Sequence, residues 1–292
     1  MFVFSIGVVG AGVMGGQIAQ AIAAAGELPV VLHDPDPTAL ERALAEAGDI
    51  TQRRAARAVE QGRLGDDQAA ERIERTLRLL SGTTGYEGFG GVDLVIEAVP
   101  ESLDVKQEVF AELDVRTPGH AILATNTSGI PVTAIADAVS FERRSKVIGL
   151  HFFWPASVMR LVEVVVGEES STETVASAVA FVSQIRKSPV RSADSPGFVV
   201  NRIFAAMNSE AWAEQEATQR PVADVDAELR ASGLVPMGPF EVADMIGLDT
   251  VVRVDSELRD AYGDAFRVHG GMQGLVGQGH LGAKSGRGFY EH

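Results

Sequence analysis

The chain has 292 residues, 46% hydrophobic and 22% charged, with a net charge of −15 and a pI near 4.8. That size predicts a globular protein of two domains, and the acidic balance argues against nucleic acid or an anionic membrane as partner. Cysteine is absent, which excludes disulfides, thiolate nucleophiles and zinc–thiolate sites and agrees with a reducing cytoplasm.

The apolar start, "MFVFSIGVVGAGVMGGQIAQAIAAAG", lacks a basic leader region and is interrupted by Gln17 and Gln20. It reads as strand, glycine loop and helix, not as a signal peptide or membrane span. Residues 3–9 form an apolar run typical of a strand buried on both faces. Helix-forming residues follow, with Gly26 as the stop. Residues 28–34, "LPVVLHD", predict a second strand, and 37–80 are rich in Ala, Glu, Arg and Leu and read as long helical material ending in a third strand around "RLLSGTT". "VDLVIEAVP" (92–100) predicts a strand and "SLDVKQEVFAELDVR" a helix. "AILATNTS" (121–128) predicts a strand running into a polar turn. "RSKVIGLHFF" and "MRLVEVVVG" are two more strands, "TETVASAVAFVSQIRK" is helical, and "SPVRSAD" closes the region.

Alternating strands and helices predict an α/β layer with a largely parallel sheet. Beyond Ser195 the candidates are helical. The Ser192–Gly197 stretch is the boundary, which divides the chain into a sheet domain (1–191) and an all-α C-terminal domain (192–292). The last segment, "GQGHLGAKSGRGFYEH", is glycine-rich and reads as irregular.

"GAGVMG" fits G-x-G-x-x-G at Gly10, Gly12 and Gly15, between a predicted strand and a predicted helix. Gly10 allows the tight turn, Gly12 lets a pyrophosphate approach the backbone, and Gly15 lets the helix pack closely. The helix N-terminus offers N–H groups and a positive dipole end to phosphates. Asp34 follows Gly15 by 19 residues and ends the second strand. A carboxylate there accepts from ribose hydroxyls and repels the extra phosphate of NADP, so a Rossmann-like domain preferring NAD is expected. His33 reads as structural. On these features alone a flavin, or a plain glycine turn beside a surface aspartate, also fits.

Alcohol oxidation by NAD needs a group that accepts the hydroxyl proton, and histidine titrates in the right range. His151, in "GLHFFWPASVMRLVEVV", sits near a predicted strand end. A carboxylate on its second ring nitrogen would fix the tautomer and support the imidazolium; Glu163, in the next strand, is the candidate. On local sequence His151 reads equally as a core residue and Glu163 as an outward one. Ser128, in "TNTS", follows another strand and can reach the same end of the sheet, although such residues also favour turns and caps.

Seven ordered segments make the chain resemble the L-3-hydroxyacyl-CoA and 3-hydroxybutyryl-CoA dehydrogenases: "GVVGAGVMGGQIAQ", "EAVPESLDVKQEVFAELD", "LATNTSG", "GLHFFWPASVMRLVEVV", "DSPGFVVNRI", "GPFEVADMIGLDT" and "KSGRGFY". The resemblance spans essentially the whole length. It implies oxidation of a 3-hydroxyacyl-CoA by NAD, or the reverse reduction. It implies that His151 is the general acid/base, Glu163 its carboxylate partner, Ser128 a hydrogen bond to the substrate oxygen, and Asn201 the asparagine completing the site. For NAD it points to Gly10, Gly12, Gly15, Asp34, Glu101, Lys106 and Lys284, and it implies a homodimer formed through the helical domain.

"TQRRAARAVEQGR" (51–63) carries four arginines and one glutamate in an acidic chain. The resemblance sets this helical insertion against the phosphates of coenzyme A, with Arg57 aligned best and Arg53 and Arg54 beside it. A solvated helix face is the plainer reading of such a run. Two positions depart from the family pattern: Trp154 stands where it has asparagine, and Gly129 where it often has a second serine. Two rival readings keep the fold: a dehydrogenase of a free hydroxy acid such as carnitine or gulonate, and a catalytically silent nucleotide-binding protein.

Overall fold

The computed structural model describes residues 3–292 and divides the chain into two compact units, Met1–Ser195 and Pro196–His292. The strands of the first are β1 (Ile6–Val9), β2 (Val30–His33), β3 (Leu80–Thr83), β4 (Leu94–Glu97), β5 (Ile122–Thr125), β6 (Val147–Phe152), β7 (Leu161–Val166) and β8 (Ser188–Ala193). Its helices are α1 (Val13–Gly26), α2 (Pro37–Glu60), α3 (Asp66–Arg78), α4 (Leu103–Arg116), α5 (Val132–Ala136), α6 (Phe141–Arg144) and α7 (Thr172–Gln184).

One sheet runs β3-β2-β1-β4-β5-β6-β7-β8, with every pair parallel except β6–β7. The apolar runs became strands because the sheet's middle is covered on both faces: β1, β4, β5 and β6 are buried along their whole length. The order reverses between β1 and β4. The loops after these strands therefore diverge at the carboxyl edge, where open sheets hold ligands.

Two details differ from the sequence reading. The units divide after Ser195, inside the Ser192–Gly197 boundary stretch but four residues beyond residue 191, the expected end of the sheet domain. The reason is β8, which carries the sheet through Ala193 and is absent from the strands read in sequence. Pro189 and three polar or charged neighbours hide it, and an edge strand tolerates them. At the end of α1 the left-handed residue is Glu27, at φ 55°, not Gly26. Gly26 instead gives clearance, since a Cβ there would stand 3.0 Å from Ile185 Cγ2.

The second unit is helical: α8 (Val200–Thr218), α9 (Val222–Ala231), α10 (Pro239–Ile246), α11 (Leu248–Tyr262) and α12 (Gly270–Gly277). Trp212, Phe240, Leu248 and Met272 centre its core. Two buried aspartates fasten it. Asp226 accepts from the N–H groups of Phe240 and Glu241 and from the Tyr290 hydroxyl, and Asp244 from the N–H groups of Phe289 and Tyr290. No helix among the described residues is long and apolar enough to cross a membrane.

Candidate active site

The glycine loop leaves β1 at the sheet's reversal. Gly10 has φ +100°, and a Cβ there would lie 2.7 Å from the Ala98 carbonyl oxygen. A Cβ on Gly15 would lie 1.8 Å from the Gly10 carbonyl oxygen, so α1 packs directly on its own loop. Gly12 differs: a Cβ there meets nothing within 4 Å. It is the N-cap of α1, and no side chain caps the helix's first turn. Open space in front of uncapped N–H groups suits a pyrophosphate. Asp34 follows β2 and already works within the protein: Oδ2 accepts from the Ala11 N–H at 2.8 Å and Oδ1 from the Asp36 N–H at 3.0 Å. A carboxylate has about four acceptor positions, so ribose hydroxyls remain within its capacity. His33 is buried, with Nδ1 3.2 Å from the Thr83 carbonyl oxygen and its ring against Tyr86.

Beyond β4 lies an ionic network with a buried pair at its centre. Glu97 is fully buried and Lys106 is 1% exposed. Lys106 Nζ donates to Glu97 Oε1 at 2.8 Å and lies 3.3 Å from Glu101 Oε2. Glu97 also accepts from the Val99 N–H and the Thr125 hydroxyl, both at 2.7 Å. Glu101 Oε1 accepts from the Thr127 hydroxyl at 2.7 Å, the Ser128 N–H at 2.9 Å and the Gly129 N–H at 3.2 Å. Burial pushes the Glu101 carboxyl up, but the Lys106 charge and these hydrogen bonds outweigh it, and the net shift is downward. Lys106, read as a cofactor contact, is thus committed to two carboxylates, and Glu101 grips the turn that presents Ser128. Glu97 escaped the sequence reading. The signal was there: a carboxylate inside "DLVIEAV", a strand buried on both faces, is inward whichever way it points.

His151 and Glu163 are direct partners in the antiparallel β6–β7 register. His151 is 5% exposed and Glu163 fully buried, with Nδ1 2.8 Å from Oε2. A carboxylate only accepts, so Nδ1 carries the proton and Nε2 is the basic nitrogen of the neutral ring. The Phe153 ring lies 4.5 Å from the imidazole, centroid to centroid. Asn126 ties the neighbouring turn to this strand, accepting from the Phe152 N–H at 2.8 Å. One unit therefore brings together Gly10, Gly12, Gly15, Asp34, Glu101, Lys106, Ser128, His151 and Glu163 along the carboxyl edge of its sheet. Trp154 is 61% exposed. It lies on the surface.

Arg53, Arg54 and Arg57 are exposed on α2, and among the described residues none of them forms an ion pair. Arg54 Nη1 donates to the Ser157 carbonyl oxygen. Asn201 and Lys284 belong to the second unit. Asn201 lies in the first turn of α8, and the Lys284 ammonium pairs with Asp249.

Comparison with known proteins identifies both units. Residues 5–195 match the 3-hydroxyacyl-CoA dehydrogenase NAD-binding domain, and residues 197–292 match the C-terminal domain of the same enzymes. Among solved structures, (S)-3-hydroxybutyryl-CoA dehydrogenase from Ralstonia eutropha is 34% identical, with a TM-score of 0.90 over 99% of both chains. FadB2 of Mycobacterium tuberculosis is 34% identical, with a TM-score of 0.87 over the full length of both. The 3-hydroxybutyryl-CoA dehydrogenase of Escherichia coli is 39% identical, with a TM-score of 0.89. This chain is covered completely there but spans only 60% of that longer protein. The chain belongs to the 3-hydroxyacyl-CoA dehydrogenase family and carries both its NAD-binding and its C-terminal domain.

Proposed function

We propose that the protein interconverts an (S)-3-hydroxyacyl-CoA and the 3-ketoacyl-CoA with NAD. The observation that carries this reading is the buried His151–Glu163 pair, set on the strand that the Asn126 turn joins to the cofactor edge of the sheet. NAD fits the residues present: the space at Gly12, the uncapped start of α1 and the Asp34 carboxylate match its pyrophosphate and ribose. When bound, NAD supplies the hydride acceptor for the substrate carbon. His151 Nε2 takes the hydroxyl proton in oxidation and returns it in reduction. Glu163 fixes the ring and offsets the charge that His151 gains. Ser128, held by Glu101, orients the substrate oxygen. Asn201 and Lys284 keep in this reading the roles implied by the family resemblance. Asp34 favours NAD over NADP by charge.

The guanidinium groups of Arg53 and Arg57, exposed and without an ion-pair partner among the described residues, in a chain of net charge −15, support a coenzyme A thioester as substrate. Arg54 has at least one N–H committed to Ser157 and is the weaker candidate. Ile203 and Phe204 on α8 and Met245 and Ile246 on α10 are exposed apolar residues, which supports a homodimer formed through the helical unit. A cytoplasmic setting accords with the absence of cysteine.

The deciding experiment follows NADH absorbance with acetoacetyl-CoA as substrate and free acetoacetate as control. Rapid NADH oxidation with the thioester alone is the expected outcome. Equal rates with both would move the reading to free hydroxy or keto acids, and no oxidation with either would leave a nucleotide-binding protein. Arg53→Glu/Arg57→Glu should raise the KM for acetoacetyl-CoA about tenfold, a loss of about 1.4 kcal/mol, and an unchanged KM would remove these arginines from the substrate site.

A further inference from the structure

The segment joining β6 to β7, residues 153–160, connects the strand of His151 to that of Glu163. Apolar packing holds only part of it: Phe153 lies against the His151 ring and Ala156 belongs to the main core. Trp154, Val158 and Met159 are exposed. The turn is also held by polar side chains from three other elements. Gln17 on α1 is 7% exposed, and its Oε1 accepts from the Ala156 N–H at 3.0 Å. Arg54 on α2 donates to the Ser157 carbonyl. Lys187, immediately before β8, donates to the carbonyl oxygens of Ala156 at 2.7 Å and Met159 at 2.6 Å.

Lys187 carries the most weight. Its Nζ also stands 5.9 Å from the centre of the Phe152 ring, the residue next to His151. No carboxylate pairs with it among the described residues. Its charge is disfavoured there: burial first, then the nearby Arg54, pull its pKa down to about 8. A cation kept at that cost and directed at two backbone carbonyls is placed for what it holds. An ammonium suits the task, because its three donors rotate to meet two carbonyls, whereas the planar fork of arginine does not. Gln17 adds a second link. It lies on the helix that starts at the glycine loop, so α1 meets both the cofactor loop and the turn beyond His151.

We propose that Lys187 and Gln17 are positioning residues for proton transfer, which fix the β6–β7 turn from outside and so hold His151 in register with Glu163. The inference rests on the reading of His151 as the acid–base group.

The test is a double-mutant cycle on acetoacetyl-CoA reduction, with the Kd for NADH measured in parallel by fluorescence titration. Lys187→Met should lower kcat about 10- to 100-fold, the range expected from misplacing a reacting group by about 1 Å, with the Kd within about twofold of wild type. In a His151→Gln background the same substitution should cost little more, because a residue acting through His151 has nothing left to position. Gln17→Met, which removes the acceptor of the Ala156 N–H, should show the same pattern and serves as the second arm if Lys187→Met folds poorly. Wild-type kcat in both single variants, or an undiminished loss in the His151→Gln background, would overturn the proposal. Full turnover by His151→Gln itself would instead overturn the reading of His151.

Discussion

His151 and Glu163 stand opposite each other across the one antiparallel strand pair among the described residues of the sheet, imidazole Nδ1 2.8 Å from the carboxylate. The pairing belongs to the ladder, whose open end is the turn that Gln17 and Lys187 fix. Glu163→Gln keeps the shape and an acceptor for the Nδ1 proton but removes the charge. Turnover with acetoacetyl-CoA should fall by about 10²-fold or more, with the Kd for NADH preserved. Turnover near wild type would remove Glu163 from the mechanism.

The loop glycines separate binding from folding. Gly12→Ala places its methyl in open space at φ −70°, a conformation any residue adopts. It should fold with a Tm near wild type and bind NAD about tenfold or more weakly, because the methyl occupies the pyrophosphate's approach. Gly15→Ala drives a Cβ into the Gly10 carbonyl oxygen and should cost about 1–3 kcal/mol of stability or more. Calorimetry with and without NAD distinguishes the two; equal Tm losses would refute the division.

Lys106 neutralises the buried carboxylate of Glu97. Lys106→Met leaves Glu97 charged, fully buried and unpaired, a situation that typically costs about 3–5 kcal/mol. Urea unfolding measures this. The double variant Glu97→Gln/Lys106→Met should recover much of the loss, and a double variant no more stable than Lys106→Met would show that the charge is not the cause.

Asp255 in α11 gives a pH dependence. Burial pushes its carboxyl up to about 6, only partly offset by the Trp212 Nε1–H at 3.1 Å. The unfolded carboxyl titrates near ~3.9. The fold therefore favours the protonated form, and the group costs nothing below about pH 4, progressively more above that, and its full penalty above about pH 6. Asp255→Asn should stabilise the protein at pH 8 by up to about 3 kcal/mol, less the cost of burying an amide, with no gain near pH 4. A gain equal at both pH values would contradict the charge argument.

The central strands were legible because burial on both faces leaves an uninterrupted apolar run. β8 was not, since Ser188, Pro189 and Arg191 break the run and only an edge position accommodates them. His151 and Glu163 could be placed on neighbouring strands, but spacing does not say that the second strand reverses, and reversal is what makes them face. Gln17 and Lys187 left no trace. Their partners are backbone atoms 139 and 31 residues away, and a backbone amide has no signature in sequence. The arginine run was legible as charge. Its division of labour was not, because it depends on Arg54 alone finding a carbonyl.

The same Pro189 that concealed β8 also finishes the sheet. β8 pairs with β7 alone among the described residues, and the far side of such an edge strand is where another chain's strand would add. Pro189 offers no N–H to such a strand and Arg191 adds an exposed charge, two devices that discourage edge-to-edge growth. At the opposite rim β3 is only four residues long. Both ends of the ladder are thus poor templates, which protects the chain from sheet-to-sheet aggregation and leaves self-association to side chains.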